Sequence, residues 1–259
     1  VNTHTHTDTD RCAVITGAGS PRGIGLATAA RLAADGFAIA ILDIDGDAAS
    51  AAAEQISAEY SVPTLAATAD VTSEESVDQA FAAVEGSHLP PVTALVNNAG
   101  ITAPTRFADI TLDEWRRIFA VNVEGTFLAT RRALPGMRER GHGRVVNLSS
   151  VSAQRGGGVF GGSHYSAAKG AVLGLTRALA REAAPDGVVV NAVTPGFIGT
   201  DITAGKLTDE RRAQLIEEIP VGRGGDVADV AGLIAYLCGP EVGYVTGATF
   251  DVNGGSHIH

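Results

Sequence analysis

Residues 12–34 read CAVITGAGSPRGIGLATAARLAA. Cys12–Ile15 is a short apolar run, Thr16–Gly25 (TGAGSPRGIG) is rich in glycine, and Leu26–Ala34 has the composition of a helix. Strand, glycine turn and helix in that order form the setting in which backbone N–H groups and a helix N-terminus hold a phosphate. The strict spacing G-x-G-x-x-G is not met. Gly17 and Gly19 fit, but the third glycine would fall on Arg22. The stretch is therefore either a phosphate loop of altered spacing or a tight turn, and the residues around it must decide.

The pattern continues outward as alternating strand and helix. Phe37–Leu42 (FAIAIL) is a continuous apolar run of the kind that forms a strand buried on both faces. Gly46–Tyr60 is alanine-rich and helical, Thr64–Thr68 a short strand, and Ser73–Val84 a helix opened by serine with acids in its first turn. Strands follow at Val92–Val96, Arg144–Leu148, Gly187–Val193 and Ala248–Val252. Helical stretches lie at Thr111–Arg140, Ser163–Ala184 and Asp226–Leu237. Thr111–Arg140 carries acids early and arginines late, the order that the helix dipole favours. Repeated βα units predict a doubly wound parallel sheet with helices on both faces, a three-layer αβα, Rossmann-like fold. A single domain over 11–259 is expected, preceded by a disordered polar tail at 1–10 (VNTHTHTDTD).

Composition removes several function classes. The net charge is −10 and no basic block appears, so the phosphate attraction that dominates nucleic-acid binding is missing. No apolar run approaches the roughly 18 residues of a membrane span. The two cysteines, Cys12 and Cys238, lie in apolar stretches and read as buried free thiols. His4 and His6 alternate with threonine without the further ligands that a metal site needs. The expected protein is soluble and cytoplasmic, with a small-molecule substrate and no metal.

Ligands of such sheets bind beyond the carboxyl ends of the strands. Asp43 follows the second strand, 18 residues after Gly25, where a carboxylate accepts hydrogen bonds from ribose hydroxyls of NAD and repels the added phosphate of NADP. It reads equally as a solvated acid beside Asp45 and Asp47. Asp70 follows the third strand, as an adenine contact or a turn cap. Asn97–Gly100 (NNAG) follows the fourth, with small residues that permit close backbone approach. Tyr165 and Lys169 stand four apart in GSHYSAAKG and share a helix face. A phenol titrates near about 10, and a neighbouring ammonium favours its ionised form, which would make the pair a proton-transfer device. Ser149 and Ser150 end the preceding strand as candidate donors to a carbonyl oxygen. Asn122 in VNVEG is either a satisfied buried amide or a holder of water.

In this order the pieces are specific. Thr16–Gly25, Asp43, Asp70-Val71, Asn97–Gly100, Asn122, Ser150, Tyr165/Lys169 and Pro195–Thr200 (PGFIGT) together resemble the short-chain dehydrogenase/reductases, from about residue 11 to Gly255. The resemblance implies that Tyr165 is the general acid/base, and that Lys169 holds the nicotinamide ribose and lowers the Tyr165 pKa. Ser150, rather than Ser149, would orient the substrate oxygen, and Asn122 would anchor a relay water. It implies a cofactor site formed by Gly17, Gly19, Ser20, Arg22, Gly23 and Ile24, by Asp43 and Ile44, by Asp70 and Val71, and by Asn98, Ala99 and Gly100. Tyr165, Lys169, Pro195, Gly196, Ile198 and Thr200 would complete it. With Asp43 weighed above Arg22, the expected cofactor is NAD(H) rather than NADP(H). The expected reaction interconverts a secondary alcohol and a ketone. A 3-oxoacyl-carrier-protein reductase and a non-catalytic NAD-binding redox sensor are the alternatives. A homotetramer is expected from the same resemblance, as is a substrate-covering lid at Ala204–Pro220. Two departures stand out. The glycine loop is two residues longer than T-G-x-x-x-G-x-G and contains Pro21, which offers no N–H. The segment Ser152–Gly162 (SAQRGGGVFGG) lengthens the Ser150-to-Tyr165 spacing and reads as a loop at the pocket wall, where Arg155 either meets an anionic substrate group or makes a surface or subunit contact. His164 is expected to point away from the chemistry.

Overall fold

A computed structural model describes residues 11–200 and 207–258. Seven strands form one parallel sheet in the order β3-β2-β1-β4-β5-β6-β7. They are β1 (Cys12–Thr16), β2 (Ala38–Asp43), β3 (Thr64–Thr68), β4 (Val92–Asn97), β5 (Gly143–Leu148), β6 (Val188–Pro195) and β7 (Thr249–Val252). Both faces are covered, which is why the strands read as unbroken apolar runs. Alternate residues of β1 serve opposite layers: Ala13 and Ile15 face one core, Cys12 and Val14 the other.

Helices α1 (Ile24–Ala34), α2 (Gly46–Tyr60) and α9 (Val227–Cys238) fill the first layer, with Leu32, Ile56 and Ile234 fully buried. Helices α3 (Glu74–Glu85), α5 (Gly125–Glu139) and α7 (Ser163–Ala183) fill the second, around Phe81 and Met137. Side chains cap several N-termini. Asp45 accepts from the N–H groups of Asp47 and Ala48, Ser73 from Ser76, and Asp226 forms a capping box with Asp229. The doubly wound, three-layer αβα fold is thus the observed one. The strand order reverses between β1 and β4, and the crevice beyond the ends of these two strands is the natural ligand site.

One expected helix is divided. Thr111–Arg140 contains α4 (Leu112–Phe119), a π-turn (Ala120–Glu124) and α5. The Asn122 side chain donates through Nδ2 to the Ile118 carbonyl at 2.9 Å, so an amide compensates where the backbone ladder widens. Hydrophobic periodicity does not resolve a single five-residue turn. Ser152–Gly162 also departs from a plain loop: Ser152–Arg155 forms one helical turn, α6. The expectation for the tail at 1–10, and the start of the expected lid at 204–206, lie outside the described residues. The later part of that segment forms α8 (Asp209–Glu217).

Asparagines cross the sheet between β4 and β5. Asn97 and Asn147 are register partners. Asn97 Nδ2 donates to Asn147 Oδ1 and Thr130 Oγ1, each at 2.8 Å, and Asn147 Nδ2 donates to Thr176 Oγ1 at 2.9 Å. No helix among the described residues is long and apolar enough to cross a membrane.

Candidate active site

A cavity of about 960 Å³ opens beyond the carboxyl ends of the strands, from Asp43 and Asp70 at one end to Ser150, Tyr165 and Arg155. The loop after β1 enters it through Gly17, which has φ +65°. A side chain there would bring its Cβ within 2.7 Å of Ala99 Cα, so glycine answers both the left-handed conformation and the close approach. Asn98 joins the two sides of the crevice. Its Nδ2 donates to the carbonyls of Thr16 at 2.9 Å and Gly17 at 2.7 Å, while Thr16 Oγ1 accepts from the N–H groups of Asn98 and Ala99 at 3.1 Å.

The two added residues of the glycine loop form the tip of a turn. Gly23 N–H donates to the Ser20 carbonyl at 3.0 Å, leaving Pro21 and Arg22 exposed. Ser20, Gly23 and Ile24 line the cavity with Gly17, whereas Gly19 and Arg22 do not. Arg22 sits at the exposed tip, and the Gly19 N–H donates to Asp43 Oδ2 at 2.8 Å. Asp43 also accepts from the Asp45 N–H at 3.1 Å, so its carboxylate is held at the cavity edge by two backbone donors. Ile44, Asp70, Val71, Asn98, Ala99, Gly100, Pro195, Gly196, Ile198 and Thr200 all line the cavity. Asp70 Oδ1 accepts from the N–H and hydroxyl of Thr72, and so caps its own turn.

Asn122, Ser150, Tyr165 and Lys169 meet at the same cavity. Ser149 and Ser150 divide their roles. The buried Ser149 hydroxyl donates to the Lys169 carbonyl at 2.8 Å and anchors α7, while Ser150 hydrogen-bonds the Tyr165 phenol. Lys169 Nζ donates to the Leu148 carbonyl at 2.7 Å and stands 5.9 Å from the centre of the Tyr165 ring. Burial lowers the Lys169 pKa to about 8. Burial raises the Tyr165 phenol above its ordinary value, and the Ser150 hydrogen bond pulls the other way. The Lys169 ammonium turns to the Leu148 carbonyl rather than to the phenol. Asn122 Nδ2 is held by the carbonyls of Ile101 and Ile118, each at 2.9 Å. Its buried Oδ1 has no hydrogen-bond partner among the described residues.

Gly100 closes this group. A Cβ at that position would lie 2.8 Å from Asn122 Oδ1 and 3.3 Å from Lys169 Nζ. The Asn122 amide is pinned at two points and cannot swing aside cheaply. Gly100→Ala is accordingly expected to lower kcat by about 10²-fold, the scale set by roughly ångström displacements at a reacting centre. Steady-state kinetics with a circular dichroism control would check it. Unchanged kcat would show that the approach at Gly100 carries no catalytic constraint.

The pocket wall follows α6. Gly156 and Gly157 have φ +75° and +69°, and Gly157 N–H donates to Ser166 Oγ at 2.8 Å. Phe160 stacks on Phe197 with centroids 6.0 Å apart, and Gly161 lies against the Tyr165 ring. His164 is fully buried and faces away from the cavity. Its Nε2 lies 3.3 Å from Glu114 Oε1, which also accepts from Thr105 Oγ1 at 2.6 Å. Sequence reasoning missed this tie, and missed Arg117, Phe197 and Leu215 as cavity residues. Arg117 and Leu215 meet the site from distant segments that nothing in local sequence marks, whereas Phe197 lies within the Pro195–Thr200 stretch already assigned to the site.

The residues present fit a dinucleotide. Gly17 leaves backbone open at the switch point, Asp43 presents an oriented carboxylate at one end, and Asn122 offers a buried acceptor oxygen at the other. Comparison with known proteins agrees with the geometry. A family model described as "Enoyl-(Acyl carrier protein) reductase" matches residues 17–257. An uncharacterized short-chain type dehydrogenase/reductase of Sinorhizobium fredii is 48% identical over 96% of this chain and 98% of its own. A 3-oxoacyl-(acyl-carrier-protein) reductase of Aquifex aeolicus is 41% identical over 92% of this chain and 94% of its own. A crystal structure of a putative gluconate dehydrogenase from Agrobacterium tumefaciens superposes with a TM-score of 0.88 at 31% identity, covering 95% of each chain.

Proposed function

The chain belongs to the short-chain dehydrogenase/reductase family of oxidoreductases, and on that premise we propose that it uses NAD(H) to interconvert a secondary alcohol and a ketone. The observation that carries the reading is the meeting of Ser150, Tyr165 and Lys169 at one cavity, with Lys169 Nζ 5.9 Å from the centre of the Tyr165 ring. When bound, the nicotinamide cofactor supplies or accepts the hydride. The chain's own residues manage the proton and the orientation. Tyr165 keeps its proton in the buried site and so stands ready as the acid toward a carbonyl oxygen; in oxidation it takes the alcohol proton. Ser150 donates to the same oxygen and fixes its position. Lys169, with one N–H given to Leu148, has others to offer the nicotinamide ribose, which would bring its charge to bear on the phenol. Asn122 Oδ1, buried and without a partner among the described residues, would hold a water that passes protons toward Lys169. Asp43 accepts from the adenosine ribose hydroxyls and disfavours a phosphate there, which supports NAD(H). A homotetramer is part of the same proposal, supported by exposed apolar side chains such as Phe127 on α5 and Tyr244.

A second reading, reduction of a 3-oxoacyl thioester, is favoured by the Aquifex relative. One experiment separates the two. A panel of secondary alcohols, ketones and 3-oxoacyl thioesters is followed by nicotinamide absorbance, with NAD(H) and NADP(H) in parallel. Turnover of free alcohols or ketones with NAD(H) is expected. Turnover confined to carrier thioesters with NADPH selects the second reading, and tight NADH binding without any turnover revives a redox sensor.

A further inference from the structure

The charges that line the cavity are segregated. Its only acids among the described residues, Asp43 and Asp70, follow β2 and β3 at the cofactor end. At the other end Arg155 closes α6, five residues after Ser150, and begins the wall that runs to Gly161 against the Tyr165 ring. The Arg155 side chain makes no hydrogen bond or ion pair with any described residue, while its backbone N–H donates to the Val151 carbonyl at 3.1 Å. Its side chain is exposed, as is that of Arg117, the other arginine lining the cavity. The backbone around it is built. Gly156 N–H returns to the Ser152 carbonyl at 3.1 Å, Gly156 and Gly157 take left-handed φ, and Gly157 is tied to Ser166 beside Tyr165. Nothing lies within 4 Å of where a side chain at either glycine would begin, so conformation rather than crowding requires them. This turn ends α6 directly after Arg155. The wall beyond this turn is built from Val159 and from Phe160 stacked on Phe197, and a second guanidinium, Arg117 of α4, lines the same cavity.

We propose that Arg155 reads an anionic group on the substrate, so that the enzyme's substrate is a short hydroxy acid or oxo acid whose carboxylate lies opposite the reacting carbon. A fork of guanidinium N–H groups matches a carboxylate in two parallel hydrogen bonds. Ser150 and Tyr165 take the carbonyl oxygen, Arg155 takes the carboxylate, and the apolar wall takes the chain between or beyond them. The inference rests on the alcohol–ketone reading given above. It goes further in naming what the far end of the substrate must be.

The test compares 3-oxobutanoate, its methyl ester and its coenzyme A thioester as substrates of the wild type, Arg155→Gln and Arg155→Lys. Arg155→Gln is expected to lower kcat/KM for the free acid by about 10- to 10²-fold, as for loss of hydrogen bonds to a charged group. The loss should fall mostly in KM, and the ester should change by less than about threefold. Arg155→Lys should fall between, keeping the charge without the fork. Equal losses on acid and ester overturn the proposal. A loss confined to the thioester overturns the carboxylate assignment and places the anion in the carrier's phosphates. A calorimetric titration with butanoate and methyl butanoate is run beside the kinetics. If the wild type turns over none of the three, the alcohol–ketone reading fails by itself, and Arg155-dependent binding of butanoate still decides the anion site. Absence of that binding overturns it.

Discussion

Tyr165→Phe is expected to lower kcat by about 10²- to 10⁴-fold, the range in which a positioned acid or base contributes. The substitution removes one hydroxyl and leaves the ring against Gly161. The wall and the Lys169 bond to Leu148 should therefore survive. Cofactor affinity, measured by nicotinamide fluorescence, should stay within a few-fold of wild type, and the thermal midpoint should not fall. The loss should be equal in kcat and kcat/KM, the signature of an interaction made in the transition state. The phenol's raised pKa adds a directional expectation. Reduction needs the protonated phenol, which burial favours, so its rate should hold through neutral pH and decline only as the phenol ionises at higher pH. Near-wild-type turnover of the variant on a confirmed substrate would remove Tyr165 from the chemistry.

Asp43→Asn is expected to reverse or erase cofactor preference. The amide oxygen can still accept from the Gly19 N–H, so the glycine loop keeps its anchor while the charge disappears. Loss of charged hydrogen bonds to the ribose should lower kcat/KM with NADH by about tenfold or more. Relief of repulsion should raise it with NADPH, since two charges about 4 Å apart near a protein surface interact by several kcal/mol. The ratio of the two should move by about 10²-fold. Direct titration of the wild type comes first: tighter binding of NADPH than NADH would overturn the assignment of Asp43 before any variant is made.

Much of this was legible in the sequence because the strands are buried on both faces. FAIAIL and its counterparts have no polar face to confuse the period, and their observed ends fall within one or two residues of the apolar runs. Asp43, Asn98 and Ser150 could be found because ligands gather where strands end, and strand ends are local features; Tyr165 was found from its four-residue spacing to Lys169 on one helix face. The π-turn at Ala120–Glu124 was not legible, since one widened turn leaves hydrophobic spacing almost unchanged. Nor was the direction of Lys169 Nζ: a four-residue spacing puts it on the face of Tyr165 but does not say that the Leu148 carbonyl will take the ammonium. The His164–Glu114–Thr105 tie joins three segments far apart in the chain. Charge type identified Arg155, but only the fold places it in the cavity and away from the acids.

The asparagine pair between β4 and β5 has a consequence for assembly. Because side chains alternate along a strand, a slip of one residue would turn Asn97 away from Asn147 and leave amides buried without partners. Apolar neighbours such as Val96 and Val146 would tolerate that slip far better. The pair therefore acts as a parity check on the pairing of two otherwise interchangeable greasy strands. Gly100 and Ser150 each follow their asparagine by the same three residues. A check passed in the middle of the sheet thus brings the glycine beside Lys169 and the serine beside Tyr165 to one level, before any ligand arrives to align them.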